Sequence, residues 1–213
     1  MWRHEKQKLE QGVRYVIGCD EVGRGSLAGP VVAAAVCFDA ANEGFLDRHH
    51  EWLKEIRDSK ELAPVKRSTL ARLIEQYSLG WGIGAVSPTI IDRINIHQAT
   101  LRAMRLAVLD LAHKVSFETS KENFIFVDGR FIIPGLNLDQ EALINGDSLV
   151  ISISAASIVA KVYRDGLMVK LHKKFPGYNL ARHKGYGTFE HIEALKRQGL
   201  SPIHRASFCG KIA

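Results

Sequence analysis

The sequence predicts an α/β fold, a mixed sheet covered by helices. Three observations carry this expectation. Short apolar runs of strand character come first, at 13–20 and 31–38, and then alternate with stretches of helical periodicity. Two apolar runs, 13–20 and 124–127, lead directly into acids, and strand carboxyl ends are where ligands gather in open α/β sheets. From Ser148 onward the pattern is helix and basic loop. The predicted order is β-β-α-β-α-β-(β)-α-α.

Residues 13–20 read as a buried strand (Val13, Tyr15, Val16, Ile17). Val31 to Phe38 reads as a second, entered through the Gly29-Pro30 turn, and the short connection predicts antiparallel neighbours. Asp58-Ser59-Lys60 reads as a helix start with Ser59 as its cap. Leu70, Leu73, Ile74 and Tyr77 follow at helical spacing after Pro64. Leu79, Trp81, Ile83 and Ala85 alternate with Gly80, Gly82 and Gly84, a strand whose glycine face permits close packing. Leu101, Met104, Val108, Leu111 and Val115 mark an amphipathic helix. Phe124 to Val127 is a short buried strand ending at Asp128-Gly129, and a further strand near Ala142 to Ile144 leads to Gly146-Asp147. Ile151, Ala155, Ile158 and Val162 form one helix face, with Lys161, Arg164 and Asp165 as its charged residues and Gly177 as its end. Thr188 is expected to cap a last helix, with Phe189, Ile192 and Leu195 inward, that stops at Gly199.

A chain of 213 residues suits one large domain, and 46% apolar against 24% charged residues place it with globular proteins rather than disordered ones. The net charge of +6 fits a polyanionic partner without requiring one. Cys19, Cys37 and Cys209 form no CxxC pair and no zinc spacing, which predicts neither a disulfide framework nor a zinc site, and points to a reducing cytoplasm. The N-terminal stretch MWRHEKQKLEQ is too charged for a signal peptide. The longest uncharged apolar stretch, Leu27 to Phe38, is too short to span a bilayer.

Four carboxylates stand out: Asp20, Glu21, Asp128 and Asp147. Acids at the rim of an apolar core take up protons or bind cations, and several converging oxygens suit hard divalent ions. Individually each has a simpler reading. Asp128-Gly129 makes a turn, and Asp147 before Ser148 caps a helix. Adjacent strand residues face opposite sides, so Asp20 is expected to be the central ligand, while Glu21 serves the same site only through a strand end, a bulge or its carbonyl. Gly23-Arg24-Gly25 lacks the spacing of a dinucleotide loop, and its glycines would let backbone amides approach sugar and phosphate. Lys60 is a candidate phosphate contact. Arg182-His183-Lys184-Gly185-Tyr186-Gly187 is either a solvated basic loop or a strand-binding one in which Tyr186 packs on a sugar or base. His97, His191 and His204 read as structural, and His204-Arg205 adds positive charge.

Together these blocks resemble the ribonuclease HII family: DEVGRG with AGP (20–30), DSK.L (58–62), VDG (127–129), GD (146–147), ISAASIVAKVYRD (153–165), HKGYGT (183–188) and HR.SF (204–208). The likeness runs from about residue 13 to 208, in order. It implies a ribonuclease H-like fold, with a five-stranded mixed sheet and a helical C-terminal region. A single domain over 1–213 follows, divided into sheet and flanking helices to about 165 and the helical region from about 166. The resemblance further implies that Asp20, Glu21, Asp128 and Asp147 are catalytic and hold Mg²⁺ or Mn²⁺, two ions per site. Gly23, Arg24 and Gly25 would recognise the ribose 2′-hydroxyl, Tyr186 would sense the ribose-to-deoxyribose junction, and Lys60 and Lys184 would contact substrate. The implied activity is cleavage of RNA in RNA/DNA hybrids and 5′ to ribonucleotides embedded in duplex DNA, leaving 3′-hydroxyl and 5′-phosphate ends. A monomer without partner-binding tails is expected. Ser26 departs from the family's usual proline. A non-catalytic nucleic-acid-binding domain of the same fold is the alternative, disfavoured because a pure binder gains by losing acids near phosphates.

Overall fold

The computed structural model describes residues 2–39, 44–57, 59–115 and 123–210. Five strands form one mixed sheet in the order β3-β2-β1-β4-β5. They are β1 (Tyr15–Val22), β2 (Val31–Cys37), β3 (Gly80–Val86), β4 (Asn123–Asp128) and β5 (Asp139–Leu143). As the short Gly29-Pro30 connection predicts, β1 and β2 are antiparallel. β2 and β3 are also antiparallel, whereas β1–β4 and β4–β5 are parallel.

Two long helices cover the sheet. On one face lies α4 (Pro88–Val115), whose Ala103, Ala107, Val108 and Leu111 pack against Ile17, Cys19, Ala33, Ala35, Ile125 and Val127. The glycine face of β3 makes this approach possible: a Cβ on Gly84 would sit 1.9 Å from the Ala103 carbonyl oxygen, and one on Gly82 2.2 Å from that of Ala107. α4 breaks at Asn95 (φ 65°), whose side-chain oxygen accepts from the Gln98 N–H and starts the helix afresh. On the other face α5 (Ile151–Lys174) packs Ile151, Ala155, Ile158 and Val159 against Ala34, Val36 and α3 (Pro64–Tyr77). Here β1 supplies the close approach, since a Cβ on Gly18 would lie 2.0 Å from the Ser152 carbonyl carbon.

Beyond α5, the short α6 (Leu180–His183), α7 (Phe189–Gln198) and α8 (Ala206–Cys209) enclose a satellite core of Met168, Tyr178, Leu180, Ala194 and Leu195 with Leu27 and Ala28. Thr188 caps α7 by accepting from the His191 N–H, and Gly199 ends it, as expected, with Leu195 buried; Phe189, expected inward, is instead exposed at the first position of the helix.

Several boundaries differ from expectation. Lys60 and its neighbours form turns, and α3 starts at Pro64, because proline is favoured in the first helical turn and drives Ala63 extended (ψ 145°). Ser59 caps nothing there; it is buried, hydrogen-bonded to Ser157 Oγ at 2.9 Å. Asp58 lies outside the described residues. α5 ends at Lys174, before a 3₁₀ turn over Pro176–Tyr178, so proline rather than Gly177 stops it. Asp147 sits in a 3₁₀ turn (Gly146–Ser148), and Val150 holds the N-cap position of α5. Two further helices carry no strong sequence signal: α1 (Arg3–Glu10), which packs beside β1, and α2 (Phe45–Leu53). Trp2, just ahead of α1, meets the rings of Phe38 and Phe45 at 5.5 and 6.4 Å.

Candidate active site

Strand register builds the acidic centre. Parallel pairing sets Cys19 beside Val127, which puts Asp20 alongside Asp128 at the carboxyl ends of two central neighbours. Ile17, Cys19, Ile125 and Val127 face α4, so by alternation Asp20 and Asp128 both face α5. Glu21 belongs to the opposite face, yet β1 ends one residue later, at Val22, and the longer side chain reaches around the rim. One carboxylate oxygen from each of Asp20, Glu21 and Asp128 falls within 4.8 Å of the others. The adjacent-residue tension is resolved by side-chain length at a strand end.

The electrostatics are those of a site that wants a cation. Burial and then the charges of Glu21 and Asp128 push the Asp20 carboxyl well above the usual carboxylate range. Burial also raises Glu21, opposed by Arg24, whose Nη1 lies 3.2 Å from Glu21 Oε1. Asp128 is raised by burial and partly relieved by the Gly146 N–H, which donates to its Oδ1 at 2.8 Å. A hard divalent ion is the counter-charge that such an all-oxygen donor set fits.

Asp147 stands outside this group of three. It lies next to Gly146, and its Oδ2 is 3.9 Å from Lys60 Nζ. A cleft of about 590 Å³ opens over the acids and brings in Gly23, Arg24, Gly25, Lys60 and Tyr186. Lys184 does not line it: its ammonium turns back to the Ala181 carbonyl. The same cleft is lined by five residues that sequence reasoning did not assign to a site: Val22, Ser59, Arg67, Ser157 and Lys161. Ser157 hydrogen-bonds Asp20. Its signal was available, since a helix whose face is otherwise Ile and Ala carries a serine run at 152, 154 and 157.

Two arginines with no exposed surface hold the glycine loop. Arg205 donates to the carbonyls of Gly29 (3.0 Å), Arg24 (2.7 Å) and Gly23 (2.8 Å). Arg164 donates to those of Pro30 (3.0 Å), Ala28 (3.1 Å) and Lys184 (3.0 Å). In a planar trans peptide the N–H points opposite to the C=O. Anchoring the Gly23 and Arg24 carbonyls on Arg205 therefore turns the N–H groups of Arg24 and Gly25 away from it. Gly23 has φ 87°, and a Cβ there would lie 2.1 Å from Arg164 Nε, so only glycine fits.

A mixed sheet gathers acids at its strand ends beneath a cleft edged with cations, an arrangement suited to a divalent ion and a phosphate-bearing substrate. Comparison narrows this. The family model for ribonuclease HII matches residues 17–211. The ribonuclease HII of Caldanaerobacter subterraneus subsp. tengcongensis is 44% identical over 209 residues, spanning 98% of this chain and 80% of that one. Among solved structures, the ribonuclease H2 of Pyrococcus horikoshii superposes with a TM-score of 0.72 at 25% identity, over 93% of this chain and 96% of that one. A Bst ribonuclease HIII in complex with Mn²⁺ shares the fold, with a TM-score of 0.70 at 17% identity over 94% of this chain and 68% of that one. The chain belongs to the ribonuclease HII family, and is a metal-dependent nuclease. No helix among the described residues is long and apolar enough to cross a membrane.

Proposed function

We propose that this enzyme hydrolyses the RNA strand of RNA/DNA hybrids and cuts 5′ to ribonucleotides embedded in duplex DNA, leaving 3′-hydroxyl and 5′-phosphate ends. The observation that carries the reading is a single cleft in which three convergent carboxylates meet the Gly23-Arg24-Gly25 loop and Tyr186. Asp20, Glu21 and Asp128 would hold Mg²⁺ or Mn²⁺, with Asp147 completing the set across from Lys60. Bound divalent ions supply Lewis acidity at the scissile phosphate and make a nucleophile of water at neutral pH. The remaining work falls to the chain. Asp20, buried between sheet and α5, fixes the centre of the site. The outward N–H groups of Arg24 and Gly25 suit a ribose hydroxyl and its phosphate. Tyr186 offers a flat face to the sugar beyond the cut, where a missing 2′-hydroxyl permits closer packing. Lys60 and Lys161 neutralise phosphate along the cleft.

The test is a duplex carrying one ribonucleotide, incubated with and without Mg²⁺ and mapped at the cut. Cleavage on the 5′ side of the ribonucleotide, dependent on the ion, is expected. Cleavage confined to long hybrid tracts would remove the embedded-ribonucleotide part of the reading, and tight binding without cleavage of either substrate would favour the non-catalytic alternative.

A further inference from the structure

Behind Tyr186 three histidines from three segments pack ring to ring: His183 at the end of α6, His191 in the first turn of α7, and His204 in the turn before α8. His183 stacks on His191 with centroids 4.3 Å apart, and His191 and His204 lie at 5.3 Å. All three are buried.

Their partners fix where each proton sits. A carbonyl only accepts, so His183 Nε2, 2.7 Å from the Tyr178 oxygen, carries a hydrogen, and its Nδ1 accepts from the Gly185 N–H at 3.2 Å. His204 Nδ1 accepts from the Ser201 N–H at 3.0 Å and lies 2.8 Å from its hydroxyl, which leaves the His204 proton on Nε2. That proton points at His191 Nε2, 3.1 Å away. His191 must therefore accept there and carry its own hydrogen on Nδ1, which meets the Tyr186 carbonyl at 2.9 Å. The outcome is a one-way chain of donors: Ser201 to His204, His204 to His191, His191 to the backbone of Tyr186. Every imidazole lone pair is spent, so the cluster is not a metal site.

We propose that this histidine chain positions Tyr186, and through it sets how strongly the enzyme favours a ribose-to-deoxyribose junction over a uniform RNA/DNA hybrid. The proposal rests on the junction-sensing reading of Tyr186. Arg164 and the Leu27 and Ala28 N–H groups already hold the carbonyls of Lys184 and Gly185, so what is left to fix is the turn at Tyr186 itself. Lys184 and Gly185 both adopt positive φ (52° and 83°), and Tyr186 is tied locally by its N–H to the His183 carbonyl at 3.0 Å and by the Thr188 N–H to its own carbonyl at 2.8 Å. A stacking side chain discriminates one sugar only when its backbone is held to a fraction of an ångström. The charges around the cluster are Arg182, Lys184 and Glu190 against His183, with the Tyr178 ring on His204 at 4.6 Å. Burial lowers all three imidazoles, His204 to about 4, so the chain stays neutral and intact at assay pH.

The experiment compares kcat/KM on a duplex with one embedded ribonucleotide against kcat/KM on a uniform hybrid, for wild type, His191→Phe, His191→Asn and Tyr186→Ala. Phenylalanine keeps the ring stack and loses the donor; asparagine keeps an amide N–H near the Nδ1 position. His191→Phe should lower the ratio by about tenfold, the equivalent of one net hydrogen bond, and His191→Asn should restore most of it. A drop shared equally by both substrates, or no rescue by asparagine, overturns the proposal as a mere loss of packing. An unchanged ratio in Tyr186→Ala removes the junction-sensing reading itself, and is told apart because the histidine variants are then silent as well. Should His191→Phe fail to fold, ¹⁵N spectra of the imidazoles decide: Nδ1–H on His191 with Nε2–H on His183 and His204 is expected, and any other tautomer or a charged ring at neutral pH overturns the chain.

Discussion

Replacing Asp20 by asparagine should make the metal-free protein more stable and the metal-loaded protein less so. Three carboxylate oxygens lie within 4.8 Å of one another. At an effective dielectric of about 20, two unit charges at such a distance repel by about 3 kcal/mol. Asp20 faces two of them, one blunted by Arg24, and it escapes part of the cost by taking up a proton. A net relief of roughly 1–3 kcal/mol remains, or about 3–9 °C in Tm for a chain of this size. The sign follows from the direction of the shift. A carboxyl raised in the folded state contributes stability below its unfolded pKa and loses it as pH rises through the folded one. The gain in Asp20→Asn should thus be larger at pH 8 than near pH 4, where the raised Asp20 carboxyl keeps its proton. Adding Mn²⁺ at a hundred times its Kd stabilises wild type by about 2.7 kcal/mol, which the variant should largely forgo along with its activity. Thermal melts in chelator and in Mn²⁺, at both ends of that pH range, read all of this. A variant no more stable than wild type in chelator at pH 8 would refute the mutual repulsion. Equal Mn²⁺ stabilisation of both proteins would refute Asp20 as a ligand.

Two further substitutions probe buried polar groups away from the acids. Glu5 on α1 is buried; its Oε1 accepts from the Ser152 N–H and hydroxyl while its Oε2 has no partner, and burial raises its pKa. Glu5→Gln should add about 1 kcal/mol above the raised pKa and nothing near pH 4, so a Tm gain that is independent of pH would count against this account. Ser26, just after the glycine loop, is fully buried with its hydroxyl unpartnered. Ser26→Ala should raise Tm by about 2–4 °C with cleavage unchanged, and a loss of stability would show that the hydroxyl has a partner after all.

What was legible in the sequence is what depends on periodicity and strand ends. Alternation gave the glycine face of β3, and the glycines are where α4 comes closest. Acids at the ends of β1 and β4 announced Asp20 and Asp128, and parallel register made them neighbours. Glu21 was ambiguous because period-two reasoning assigns a face to a Cβ, whereas the reach of a glutamate past a strand end is a matter of its extra methylene. α1 was missed for a related reason. Its residues are mostly charged, and what holds it is Glu5 against the start of α5 with Trp2 beside it against Phe38, contacts made far along the chain.

The glycine loop at 23–25 shows the deeper limit. Arg164 reads as the charged side of a helix and Arg205 as one more positive residue near the C-terminus, yet both are wholly buried. Their partners are six backbone carbonyls, and a carbonyl leaves no mark in a sequence because every residue has one. The arrangement follows from the chemistry of the loop. A glycine segment whose N–H groups face the cleft has carbonyls pointing the other way, into protein, where each left unpaired would cost about 1–3 kcal/mol. Carboxylates cannot serve there, since they donate nothing. A guanidinium offers five donors in a fixed fork: Arg205 satisfies the carbonyls of Gly23, Arg24 and Gly29, and Arg164 those of Ala28, Pro30 and, from the neighbouring loop, Lys184. Burial pulls Arg205 down to about 10, still far above assay pH, so the donor set is complete whenever the enzyme is active. The cation that reads as a surface feature in the sequence is thus the internal frame on which the exposed amides of residues 24 and 25 are set.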